Sequence, residues 1–416
     1  MHRLYSSILY IIQAILPISG LFSSKMKLFV KGRKDVFSTL RDVITDQDRV
    51  IWFHAASLGE YEQGVPVMEE IQKTYPEHTL VITFFSPSGY EVKKNNAFAK
   101  ATTYLPLDTP ANAQLFLDVV HPELVFFIKY EFWPNYLTVL KKRNIKTVLL
   151  SGVFRENQPF FKWYGKWMLK SFEAFDHYFV QDKASVMAAE TINLHPVTMS
   201  GDTRFDRVSR QIEMDNTLDF ISAFKGDQIC VVCGSTWPED DQVLTTFINN
   251  QKTDTKFIIA PHQIKSEKII ALQQKLDVKS VLFSEKEGRK LSDYKVFIID
   301  TIGLLTKIYS YADVAYVGGA LGTTGLHNIL EPATFGVPII TGANFEKFPE
   351  AKKLRQLAGL FAISNQEELD EILHKLLIDP KFRSQTGMIA GHFINSNTGA
   401  TETVMEYIAY IWVDYF

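Results

Sequence analysis

The sequence predicts an α/β protein built from two parallel sheets, each layered with helices. Three observations carry this. Short apolar runs alternate with longer stretches of helical periodicity, as strands joined by crossover helices do. The alternation breaks once, over polar residues 208–226, and then restarts. The chain has 416 residues, more than one hydrophobic core usually organises, so two domains are expected.

In the first half the strand-like runs are 50–55, 80–85, 102–105, 124–128, 147–150 and 178–180, with helical segments at 60–74, 111–120 and 133–143. In the second half they are 229–233, 257–260, 280–283, 296–299, 314–317 and 338–341. This divides the chain into an N-terminal segment 1–35, a Rossmann-like domain 36–207, a linker 208–226, a second Rossmann-like domain 227–395, and a final segment 396–416. The last is helical and aromatic-rich, and is expected to pack back on the first domain. Two such domains joined by one hinge are expected to share a ligand cleft bordered by the carboxyl ends of their strands.

A net charge of −3 offers no global attraction for nucleic acid. The only cysteines, Cys230 and Cys233, have the CxxC spelling of a redox or metal motif. On a strand, however, residues three apart point to opposite faces, and no second pair completes a zinc site. Buried strand thiols in a reducing cytoplasm fit better.

The N-terminus differs from the rest. Residues 4–24 carry no charge and include an apolar run at 8–12, and then Lys25, Lys27, Lys31, Arg33 and Lys34 follow without an acid. The apolar part is shorter than the roughly 20 residues a bilayer needs, and Pro17 and Gly20 interrupt it. A membrane-surface anchor with a basic collar accounts for both halves better than a buried first helix or a cleaved signal peptide.

The candidate functional residues lie where strand-like runs end. Gly318-Gly319 opens a glycine-rich loop after the run 313–317, expected to lead into a helix whose first N–H groups face an anion. Asn328 and Glu331, three apart, would share a helix face and read ribose hydroxyls. In His54-Ala-Ala-Ser-Leu-Gly-Glu60, the Ser57-x-x-Glu60 spacing spells a capping box, but it equally places Glu60 as a general base beside Gly59 at a strand-to-helix turn. Ser86-Pro-Ser88-Gly89 is a second such turn, and Glu131 follows a third strand. Arg155 and Arg204 stand where a phosphate or carboxylate would need a cation. Ser235, Thr236, Pro261 and His262 occupy two strand-to-helix turns in the second half. Their hydroxyls and imidazole suit a phosphate, although Ser235 or Thr236 before Pro238 is also an ordinary helix cap.

Taken in order, HAASLGE, EFWPN from Glu131, GDTRFD from Gly201, GSTWPEDD from Gly234, APH from Ala260, DTIG from Asp300 and LHNILEP from Leu326 resemble the 3-deoxy-D-manno-oct-2-ulosonic acid (Kdo) transferases. The resemblance implies a GT-B glycosyltransferase at the cytoplasmic face of the bacterial inner membrane. It would move Kdo from CMP-Kdo to a lipid A precursor, with inversion and with neither metal nor cofactor. Glu60 falls on the family's catalytic base. Asn328 and Glu331 fall on its nucleotide-binding helix, and Ile302 and Gly303 lie in a loop near the cytosine. Arg204 matches a position usually held by lysine. The chain departs from the family where Pro261-His262 lacks the usual intervening arginine, where Leu304 replaces an acid, and at Lys129. A UDP-sugar epimerase and a membrane-bound nucleotide-sugar sensor are the rival readings.

Overall fold

The computed structural model describes residues 1–19 and 23–413. Gly20 and the last three residues of the 396–416 segment lie outside them. The chain forms two compact units, Met1–Arg207 with Thr398–Phe416, and Val208–Asn397.

The first unit holds β1 (Arg49–Ala55), β2 (His78–Phe84), β3 (Ala101–Tyr104), β4 (Pro122–Ile128), β5 (Lys146–Gly152), β6 (His177–Val180) and β7 (Val197–Met199). They form one parallel sheet in the order β3-β2-β1-β4-β5-β6-β7. Both faces are covered, so the central strands are buried and largely apolar on both faces rather than alternating. Val50 and Trp52 enter one core cluster while Ile51 and Phe53 enter the other. The direction of winding reverses between β1 and β4, and in open α/β sheets that reversal opens a crevice at the carboxyl edge.

The second unit holds β8 (Cys230–Thr236), β9 (Lys256–Pro261), β10 (Ser280–Leu282), β11 (Val296–Ile298), β12 (Val314–Val317), β13 (Ile339–Gly342) and β14 (Leu360–Ile363). This parallel sheet runs β10-β11-β9-β8-β12-β13-β14, reversing between β8 and β12. Cys230 and Cys233 are free thiols on opposite faces of β8, each in a different core cluster. Burial pushes the Cys230 thiol up to about 12.

Three features differ from the sequence expectation. The strands β7 and β14, absent from the sequence expectation, are only three and four residues long and lie at sheet edges. The stretch 208–226 joins the second unit's core, because Asp219–Lys225 is a helix whose Ile221 and Phe224 are fully buried there, with Leu218 and Phe220 partly buried against the same cluster. At the N-terminus the helix His2–Ser19 is docked by a polar seam. The Tyr5 hydroxyl donates to Asp108 at 2.9 Å, and Ser6 donates to the Asn135 side chain at 3.0 Å. Leu4, Ile8, Ile11, Ile12, Ile15 and Ile18 remain exposed on it. Among the described residues no helix is long and apolar enough to cross a membrane.

The helix Ala400–Val413 packs Val404, Ile408, Ile411 and Trp412 into the first unit's core beside Tyr61, Met68 and Ile71. Its start is held by Asp206, which accepts from the Gly399 and Thr401 N–H groups at 2.6 and 2.7 Å and from the Thr401 hydroxyl at 2.7 Å. Asp206→Ala strands these buried donors, and should cost about 2–3 kcal/mol in guanidinium unfolding while raising hydrogen exchange across residues 400–412. Unchanged exchange there would show that apolar packing alone holds this helix.

Candidate active site

Parallel strands carry their carboxyl ends to one edge, so the turns after β1, β2, β4 and β5 are neighbours. The helix Leu58–Thr74 starts two residues beyond β1 and places Glu60 in its first turn, where the N–H dipoles favour a carboxylate. Ser57 is extended at the N-cap, but its side chain caps no backbone N–H. Its hydroxyl instead donates to the Glu60 carboxylate in a short hydrogen bond. The capping box is therefore not formed, and Glu60 is held 6% exposed with its carboxylate oriented by a neighbouring hydroxyl. At Gly59 an added Cβ would approach only Ser57 Oγ, at 3.9 Å, so that side of the turn is open.

Glu131 arrives from the turn after β4, across the winding reversal. Trp133 Nε1 donates both to Glu131 Oε2, at 3.1 Å, and to His54 Nε2, at 3.0 Å. His54 is fully buried on β1, and its other ring nitrogen lies 2.9 Å from the Thr83 hydroxyl. The His54 Nε2 also lies 3.5 Å from Glu131 Oε2, so the indole, the imidazole and the carboxylate form one cluster. Tyr130 lies among the same groups. Burial and the carboxylates of Glu60 and Glu131 raise its phenol, and Arg155 opposes them. Lys129 Nζ lies 5.2 Å from the Tyr130 ring centroid. Lys129 adopts φ 72°, a left-handed backbone that side chains other than glycine disfavour.

Other predicted residues of this unit are committed to the fold. Ser86 caps the helix Pro87–Lys93 by accepting from Ser88 N–H, and the two hydroxyls share a hydrogen bond at 2.9 Å. Gly89 is required because a Cβ would meet the Phe84 ring at 2.3 Å. Arg204 binds Asp202 through Nε at 2.9 Å and Nη2 at 2.7 Å. Burial alone would raise the Asp202 carboxyl, but Arg204 outweighs it and holds the group below its usual range.

In the second unit the glycine-rich turn works differently from its sequence reading. Asp240 is fully buried and accepts from Trp237 N–H, Gly319 N–H and the Tyr316 hydroxyl. A Cβ at Gly318 would strike Ser235 O at 2.5 Å and Asp240 Oδ2 at 2.7 Å. Gly319, at φ 96°, has Gly325 O at 2.2 Å from its would-be Cβ. A side chain at either glycine would collide with the protein's own backbone or with Asp240. Nor does the turn open directly into a long helix, since the helix is the five-residue Leu330–Thr334. Asn328 precedes it, accepting from Leu330 N–H and donating to Glu331 Oε1 at 3.1 Å. The two side chains bond each other, and because Asn328 lies ahead of the helix they do not share the expected helix face.

Beside them stand three rings that the sequence reading did not group. Trp237 stacks on His262 with centroids 4.7 Å apart, His262 lies 4.4 Å from His327, and Trp237 Nε1 donates to His327 Nε2 at 2.9 Å. The last bond leaves the His327 proton on Nδ1. Burial, then His262, lowers His327 to about 4. Ser235 ends β8 at φ 54°. Thr236 and Pro261 line a cavity of about 100 Å³ that also contains Asp241 and Lys268. Ile302 is 86% exposed and Gly303 has open space around it, on the turn after β11, two strands from the reversal.

Since His327 titrates in the fold below an ordinary histidine, its neutral form contributes stability that is lost as pH falls from about 6.5 toward about 4. An NMR titration should give the His327 ring a midpoint near 4. A midpoint near 6.5 would show that the imidazole is solvated and that the stacked arrangement is wrong.

Residues 31–207 match the family model described as 3-Deoxy-D-manno-octulosonic-acid transferase (kdotransferase). The chain is 26% identical over 422 residues to the 3-deoxy-D-manno-octulosonic acid transferase of Haemophilus influenzae, covering 97% of this chain and 96% of the relative. Among solved structures it is similar to UDP-GlcNAc 2-epimerase from Neisseria meningitidis, with TM-score 0.62, 14% identity, and 87% and 99% of the two chains covered. It is likewise similar to CalG4, the calicheamicin glycosyltransferase, with TM-score 0.56, 13% identity, and coverage of 88% and 98%. The structural likenesses establish a GT-B-like fold with two seven-stranded parallel sheets.

Proposed function

We propose that this chain, a glycosyltransferase related to the 3-deoxy-D-manno-octulosonic acid transferases, moves Kdo from CMP-Kdo to the lipid A precursor lipid IVA during lipopolysaccharide assembly. The observation that carries this reading is the Glu60 carboxylate, held by Ser57 at the carboxyl end of β1 with Glu131 beyond the winding reversal.

An acceptor hydroxyl attacks the anomeric carbon of Kdo as the bond from that carbon to the CMP phosphate oxygen breaks. Glu60 takes the hydroxyl proton, CMP leaves with the bonding pair, and the anomeric configuration inverts. Glu131, fixed by Trp133, sits where developing positive charge on the sugar ring is stabilised. On the donor side, Asn328 and Glu331 hold the ribose hydroxyls, the His262 and His327 rings with Ser235 meet the phosphate, and Ile302 and Gly303 lie toward the base. The departing group carries one phosphate, so side-chain donors suffice and the reaction needs neither metal nor cofactor. Aligning the two substrates removes up to roughly 7–11 kcal/mol of the barrier.

The exposed apolar residues of the helix His2–Ser19, followed by Lys25, Lys27 and Lys31, suit a peripheral position on the cytoplasmic face of the inner membrane. There the site meets its lipid acceptor.

Incubation with CMP-Kdo and tetraacylated lipid A precursor, read by mass spectrometry, should give a product heavier by one or more Kdo residues. Glu60→Gln should fold and bind CMP like the parent but lose at least about 10²-fold in transfer, the usual worth of a general base. Full activity in that variant would remove Glu60 from the mechanism. Replacing Asn328 and Glu331 together by alanine should weaken calorimetric CMP affinity by about tenfold or more while leaving the unfolding midpoint nearly unchanged. Undiminished affinity would place the nucleotide elsewhere.

A further inference from the structure

Between Glu156 and Glu173 the chain carries no acid, and it sets Lys162, Lys166 and Lys170 among the aromatic residues Trp163, Tyr164 and Trp167. The three lysines are all exposed. The segment folds as two single turns, Pro159–Phe161 and Lys166–Met168, and then the short helix Leu169–Phe172. Its base is fixed, because Phe160 and Phe172 are buried in the first unit's core with ring centroids 5.1 Å apart. Its tip is tightly turned as well, since a Cβ at Gly165 would lie 2.0 Å from Pro159 O. On this rigid support Trp163 is 85% exposed and Tyr164 49% exposed, their rings edge to face. Trp167 packs on His2 and Tyr5 with centroids 5.7 and 5.3 Å apart, which joins the loop to the N-terminal helix and its exposed isoleucines.

Holding two large aromatic side chains in water costs free energy that covering them would recover. The covering surface must accept an indole and a phenol with their polar ends still hydrated, and must attract lysines without supplying apolar depth for them. An anionic bilayer interface has this chemistry, with rings at the headgroup level and ammonium groups at the phosphates. We propose that the loop 159–170 is a second membrane-contact element, seating Trp163 and Tyr164 in the headgroup layer of an anionic membrane beside the N-terminal helix. The inference rests on the peripheral membrane position proposed above. One amphipathic helix binds reversibly and leaves the protein free to roll about its axis, whereas a second, non-collinear contact fixes which face of the unit meets the lipid.

The test uses the full-length chain and sedimentation with phosphatidylcholine vesicles, with and without phosphatidylglycerol. Trp163→Ala/Tyr164→Ala should partition about tenfold more weakly than the parent and lose quenching of its tryptophan fluorescence by brominated lipid. Its melting temperature and its transfer to detergent-dispersed acceptor should match the parent. Exchanging Lys162, Lys166 and Lys170 for glutamine should remove much of the preference for anionic vesicles and flatten the salt dependence. If the parent binds vesicles and the aromatic variant binds equally well, the loop is not a membrane contact and its tip serves a protein surface instead. If the parent does not bind vesicles at all, the peripheral reading fails as well.

Discussion

The parallel direction of the strands is the constraint on which the rest depends. With all seven strands of a sheet pointing one way, each following turn opens at the same edge, and the reversal of winding keeps two of those turns from being covered by a crossover. In the first unit those turns carry Glu60 and Glu131, and in the second they carry Trp237 and the Gly318–Gly319 turn. Glu60, Ser57, Glu131 and Trp133 all lie in the turns and first helical residues that directly follow β1 and β4, so strands buried on both faces anchor the segments that carry them.

Burying polar groups at such an edge is tolerable only if each is bonded. The first unit achieves this with a chain in which Trp52 and His54 meet at the Thr83 hydroxyl while Trp133 serves both His54 and Glu131. The second unit places a single buried carboxylate, Asp240, as acceptor for a helix start, a tyrosine and the glycine turn at once. Burial raises the Asp240 carboxyl, and those three donors oppose the rise. In both units the residues around these turns are bonded to one another, Ser57 to Glu60 in the first and Trp237 to His327 in the second.

Much of the fold was legible because apolar strands in a doubly covered sheet need no alternation to be recognised. β1, β4, β8 and β12 are short, continuous hydrophobic runs. The same simplicity failed at β7 and β14, edge strands of only three and four residues, and at the helix Asp219–Lys225, which sits in an otherwise polar stretch. The glycines were visible in the sequence, but the proximity of Phe84 to Gly89 and of Asp240 to Gly318 was not.

The sequence by itself determined the sheets, the turns at their carboxyl ends and the acids that ride on those turns, because strand periodicity and helix starts are local properties of the chain. Tertiary structure alone decided what each of those residues does. It turned Ser57 from a cap into a donor to Glu60, spent Arg204 on Asp202 and Ser86 on its own helix, and stacked Trp237, His262 and His327, which are up to ninety positions apart. Hydrogen-bond partners and ring contacts form between segments distant in the chain, and spacing along one segment carries no information about which partner reaches it first.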